Sequence, residues 1–126
     1  MKKNNKVAIY VRVSTKDQSL DMQLNDLQRY SKERGFNVFK TYKDNGVSGT
    51  KETRPALNEL MEDARKRRFG TVLVWRFDRF ARSTKHLVTA LYEFRNLGID
   101  FISYQENIDT SSPLGEAIFT IIGAMS

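Results

Sequence analysis

A serine hydroxyl and four arginines are the groups of this chain whose types and spacing suit a reaction. Arg12 and Ser14 lie in the run VAIYVRVST, residues 7–15, which is otherwise apolar or β-branched. Such a run predicts a central parallel strand covered on both faces. Side chains alternate along a strand, so Arg12 and Ser14 should point to the same side. A buried guanidinium is costly unless a negative group faces it, so something anionic belongs beside Arg12. Arg54 is misplaced in a second way. It stands at a predicted helix start, where the macrodipole disfavours a cation, and Pro55 pushes it toward an extended conformation. In DRFAR, residues 78–82, Arg79 and Arg82 share a face if the segment is helical, and Asp78 is spaced to pair with Arg82. Guanidinium forks fit phosphate oxygens and stay charged at any working pH. A nucleophilic serine within such a cluster suits phosphoryl transfer, with arginines neutralising charge as metals do elsewhere.

The elements that must position these groups repeat one grammar. After the first strand, Leu20, Leu24, Leu27 and Ser31 form a helical stripe, with Ser19 as N-cap and Gly35 as stop, predicting a helix over 20–34. NVFKTY is a second strand, leading into the loop DNGVSGTKET. Leu57, Leu60, Met61 and Ala64 mark a second helix with Pro55 in its first turn. It ends in RKRRFG, where cations offset the dipole and Gly70 is expected to supply a left-handed cap. TVLVW is a third strand, RFDRFARS a short turn, and 84–97 a third helix stopped by Gly98. IDFISY is a fourth strand. Strands alternating with helices predict right-handed crossovers and a three-layer αβα fold with a mostly parallel, flavodoxin-like sheet. Ligands of such sheets bind beyond the carboxyl ends of the strands. Ser14, the glycine loop and DRFAR all fall there. Ser112 and Pro113 then open a helix whose stripe is Leu114, Ile118, Ile121, Ile122 and Met125; it reaches the chain end without a capping signal, as a fragment would.

Composition narrows the classes. The 126 residues suffice for one domain, 40% hydrophobic and 29% charged, as in ordinary soluble proteins. No apolar stretch is long enough to cross a membrane, and the basic start is not a signal peptide, so the cytoplasm is the expected compartment. There is no cysteine and one histidine, His86, which excludes thiolate chemistry and multi-histidine metal sites. The net charge of +6 favours a polyanionic partner, nucleic acid first. A serine hydrolase would need G-x-S-x-G and a histidine base. A Rossmann or P-loop nucleotide binder would need glycines where this chain reads STKDQS. A response-regulator-like domain shares the topology but needs acids at strand ends that here carry arginine.

Taken in order, YVRVSTKDQ, DNGVSG followed by RPAL, DRFAR and IDTSSPLGEA resemble the catalytic domain of the resolvase/invertase family of serine site-specific recombinases. The resemblance covers almost the whole chain. Phe80 is a small departure, where the family often has leucine. The resemblance implies that Ser14 attacks a DNA phosphate, giving a covalent 5′-phosphoserine and a free 3′-hydroxyl. It implies that Arg12, Arg79 and Arg82 bind that phosphate and that Arg54 helps align the nucleophile. Asp78 would orient groups or carry a proton, or simply pair with an arginine. Gln18 and Gln23 match positions beside the nucleophile. Neither ATP nor metal is implied. The implied partners are double-stranded DNA and further copies of the chain, as homodimer or homotetramer through the helix after Pro113, in a bacterial or mobile-element setting. Residues 1–110 then form the catalytic domain and 111–126 begin a long oligomerisation helix. The family's DNA-binding domain is absent from this chain. The alternative is a catalytically silent DNA-associated oligomerisation module on the same fold.

Overall fold

The run around Arg12 folds as the middle of a sheet. The computed structural model describes residues 4–14, 20–46, 54–81 and 83–125, with backbone alone at 14, 46, 122, 123 and 125. Strand β1 (Lys6–Ser14) pairs in parallel with β2 (Asn37–Gly46) on one side and β3 (Thr71–Val74) on the other. Parallel β4 (Asp100–Ser103) follows β3, and β5 (Ile108–Asp109) adds an antiparallel edge, giving the order β2-β1-β3-β4-β5. β5 is additional to the four strands expected. Two residues are too few to show an alternating pattern, and the turn before it depends on Asn107 at φ 55°.

Alternation along β1 divides the core as the apolar run requires. Val7, Ile9 and Val11 cluster with Leu27 of α1 (Leu20–Glu33). Ala8 and Tyr10 face the other way, into a cluster with residues of three helices. These are Leu57 and Leu60 of α2 (Pro55–Arg65), Phe80 of α3 (Phe77–Phe80), and Leu91 and Phe94 of α4 (Thr84–Asn96). Helices therefore cover both faces, as expected. Burying each such Leu or Phe stabilises the fold by about 1.5–3 kcal/mol.

Gly35 and Gly98 stop their helices with positive φ, as the sequence predicts. The end of α2 differs. The helix stops at Arg65, and the left-handed residue is Arg67 at φ 57°, not Gly70. Gly70 is needed for space instead: a Cβ there would lie 2.3 Å from the carbonyl oxygen of Asn4. The basic run is largely absorbed by neighbours. Arg65 grips Glu93 with two hydrogen bonds (2.6 and 3.2 Å), Arg67 Nη1 donates to the carbonyl of Leu97 at the end of α4 (2.6 Å), and Arg68 lies 3.6 Å from Asp63.

Helix α5 (Pro113–Met125) opens as predicted, with Ser112 Oγ accepting from the backbone N–H of Gly115 at 3.0 Å. Gly115 presses on the preceding turn, where a Cβ would come within 2.3 Å of the Asp109 carbonyl oxygen. Phe119 is buried against Tyr92, under the guanidinium of Arg95. The expected apolar stripe is split by this docking. Ile118 is half-buried, whereas Leu114 and Ile121 are 62% and 58% exposed. Among the described residues no helix is long and apolar enough to cross a membrane.

Candidate active site

β1 outruns its neighbour. It pairs with β3 only as far as Tyr10 opposite Val74, but with β2 as far as Ser14 opposite Gly46. Its last residues thus overhang the crevice beside β3, where the strand order reverses and open α/β sheets bind ligands. Arg12 is half-buried on this overhang and pairs across the sheet with Asp44, an acid 3% exposed.

Asp44 organises the crevice. Its Oδ2 accepts from the Tyr10 hydroxyl (2.8 Å) and the Leu57 N–H (3.0 Å), and its Oδ1 accepts from the Ala56 N–H (2.9 Å). The carboxylate therefore caps α2 from a different element, meeting both the orphan donors and the positive end of the helix. Burial, the hydrogen bond to Asp44 and the charge of Asp44 all push the Tyr10 hydroxyl far above its ordinary value, against the opposing pull of Arg54 and Arg12. Tyr10 is thus a permanent donor, close enough to feel both guanidinium groups.

Arg54 resolves its own anomaly. It is the N-cap residue of α2, at φ −127° and ψ 73°, and makes no side-chain capping bond; Asp44 does that work in its place. Freed from the helix end, the Arg54 side chain is buried and donates from Nη1 to the carbonyl oxygen of Phe80 at 2.5 Å. That bond ties the segment after β2 to the segment after β3.

The DRFAR segment folds differently from the simple turn expected. α3 occupies Phe77–Phe80, and Ala81 is already extended at φ −112° and ψ 146°. The expected pairing of Asp78 with Arg82, and the shared face of Arg79 and Arg82, fall on Arg82, which lies outside the described residues. Asp78 is gripped by Arg76, at 3.0 and 2.6 Å. The pair is exposed, and such pairs contribute less than about 1 kcal/mol. Arg79 sits half-buried on α3.

Of the supporting residues, Gln23 is 1% exposed in the first turns of α1, so it is not a surface glutamine. The side chain of Ser14, and Gln18, Ser19 and Arg82 altogether, lie outside the described residues. Sequence patterning alone does not single out Asp44 or Tyr10. Asp44 falls in what reads as a loop, because asparagine and glycine follow it, yet β2 continues through it. The signal that marks them is the alternation itself: Tyr42 and Asp44 share a face, as Tyr10 and Arg12 do. Among the described residues no group of three or more histidine, aspartate or glutamate side chains could hold a metal ion.

Comparison with known proteins agrees with this geometry. The family described as "Resolvase, N terminal domain" matches residues 7–126. The serine recombinase gin of Escherichia phage Mu is 40% identical over 117 residues, covering 93% of this chain and 56% of that protein. The transposon Tn917 resolvase of Enterococcus faecalis is 35% identical over 117 residues, 93% of this chain and 59% of that protein. The chain thus spans little more than half the length of these relatives. Among solved structures, the N-terminal catalytic domain of TP901-1 integrase superposes with a TM-score of 0.85 at 44% identity, covering 95% of this chain and 92% of that one. On a match that spans nearly every described element, the chain belongs to the resolvase N-terminal domain family of serine recombinases.

Proposed function

We propose that this chain is the catalytic domain of a site-specific DNA recombinase that cuts and rejoins strands through Ser14. The observation that carries the reading is the Tyr10–Asp44 pair, with Arg12 and Arg54 both acting on it, at the overhanging end of β1 that terminates in Ser14. In the proposed step the Ser14 oxygen forms a bond to phosphorus and the bond to the 3′ oxygen breaks. The serine proton leaves, and the departing 3′ oxygen gains one. Arg12, Arg79 and Arg82 neutralise the charge that grows on the phosphate, and Arg54 fixes the segment leading to Arg82 through Phe80. Asp78 is held by Arg76 in an ion pair, which supports the reading of it as a partner that orients an arginine. Gln18 and Gln23 support the nucleophile. No ATP or metal is required, because the phosphodiester energy is retained in the phosphoserine link.

The partner is double-stranded DNA, in keeping with the +6 net charge, in the cytoplasm of a bacterium that carries a mobile element. The second partner is another copy of the chain, bound through the outer face of α5, where Leu114 and Ile121 stand exposed. A dimer forms first and a tetramer performs strand exchange. The metal claim is tested by running cleavage with the native-length protein in excess EDTA. Undiminished cleavage supports the arginine mechanism; a magnesium requirement for strand breakage refutes it.

A further inference from the structure

A helix of four residues cannot hold itself, because one turn costs more in ordering than its hydrogen bonding returns. α3 carries Arg79 and leads directly to Arg82, so its placement must come from outside. Arg54 secures the far end through the Phe80 carbonyl. The near end is secured by a second clamp. Beyond β4, the N–H groups of Tyr104 and Gln105 donate to the carbonyls of Val74 and Trp75 (3.0 and 2.9 Å), so the β4–β5 turn zips along the outgoing end of β3. Where that ladder stops, the carboxylate of Glu106 takes over. It accepts from the Phe77 N–H, at 3.2 Å to Oε1 and 3.4 Å to Oε2. The hydroxyl of Ser103, a fully buried residue at the end of β4, donates to the same Oε1 and fixes the carboxylate. Stacking of Trp75 on Tyr104, with ring centroids 5.3 Å apart, holds the turn against β3.

We propose that Glu106 is a positioning residue for strand cleavage, clamping the start of α3 so that Arg79 meets the phosphate in register. In this role the acid acts through the Phe77 N–H and not on the reacting groups. Its loss lets the start of α3 unwind while the core behind it stays intact, so DNA is still bound but the guanidinium no longer aligns with the developing charge. The inference rests on the recombinase reading above.

The test measures formation of the covalent protein–DNA adduct by the native-length protein on a nicked recombination site, at saturating DNA and well below each variant's melting temperature. Glu106→Ala should slow adduct formation by about tenfold, the rate equivalent of losing one helix cap, with apparent DNA affinity unchanged. Glu106→Gln keeps an oxygen that accepts from Phe77 and should recover the rate to within about threefold of wild type. If Glu106→Ala does not fold, Ser103→Ala, which releases the carboxylate from its second donor, should still slow the reaction by about threefold. In the 126-residue chain, amide exchange at Phe77 should accelerate in the alanine variant while β1 and β3 stay protected. Wild-type rates in Glu106→Ala, no recovery by glutamine, or rate and affinity falling together with the melting temperature would each overturn the assignment. A wild-type protein that forms no adduct at all removes the recombinase reading itself, and the role of Glu106 falls with it.

Discussion

Replacing Asp44 should do more damage than replacing any surface acid, and the amount follows from its partners. The carboxylate is 3% exposed and accepts three hydrogen bonds, from the Tyr10 hydroxyl and the Ala56 and Leu57 amides. Asp44→Ala leaves a buried hydroxyl and two helix-start amides without their acceptor. Hydrogen bonds to a charged group contribute about 1.5–3 kcal/mol each, and a lost cap costs about 1 kcal/mol. The bonds share one acceptor and the cavity admits some relaxation, so the sum is not additive. We expect a loss of about 3–5 kcal/mol for alanine, the range for breaking a buried charge network. Asparagine should lose about 2 kcal/mol, because it keeps one acceptor oxygen while its amide faces donors. Urea unfolding of the 126-residue chain, followed by the Trp75 fluorescence, measures both. A loss below about 1 kcal/mol for Asp44→Ala would refute the view that this acid organises the crevice.

The Tyr10 hydroxyl ionises far less readily in the folded chain than in the unfolded one, so its stabilising contribution is full below about pH 10 and is lost as pH rises beyond that. Melting temperatures between about pH 8 and 11 should fall for the wild type, and Tyr10→Phe, though less stable at neutral pH, should fall less steeply. Gly70→Ala should destabilise by about 1–3 kcal/mol, because its Cβ would lie 2.3 Å from a backbone oxygen; denaturant midpoints no lower than wild type would contradict that contact. Leu114→Lys with Ile121→Lys should abolish concentration-dependent self-association in sedimentation without changing the melting curve. Identical monomers of both proteins at high concentration would exclude the outer face of α5 as an interface.

The layers of this fold are legible in the sequence because burial writes them there. Apolar runs mark strands covered on both faces, and stripes of Leu and Phe mark the helices that cover them. Arg12 stands out in the sequence as well, since a cation inside such a run calls for an anion. The acid that faces it across the sheet does not. Asp44 carries the local signature of a turn, and only the register of β2 against β1 brings it opposite Arg12. Arg54 reads as a cation at the wrong end of a helix because helix-start rules look within one segment, whereas the cap comes from another strand. Gly70 looks like a helix stop and is really a spacer against Asn4. In each case the deciding contact joins residues far apart in the chain, which local periodicity does not register.

The central claim is that Ser14 becomes covalently joined to DNA. The most direct measurement is mass spectrometry of the native-length protein after reaction with a nicked recombination-site duplex, with Ser14→Ala in parallel. The account predicts a peptide containing Ser14 that carries a 5′-phosphoryl nucleotide, and no adduct from the alanine variant although it still binds the duplex. An adduct that persists in Ser14→Ala, or one mapped to another residue, would contradict it.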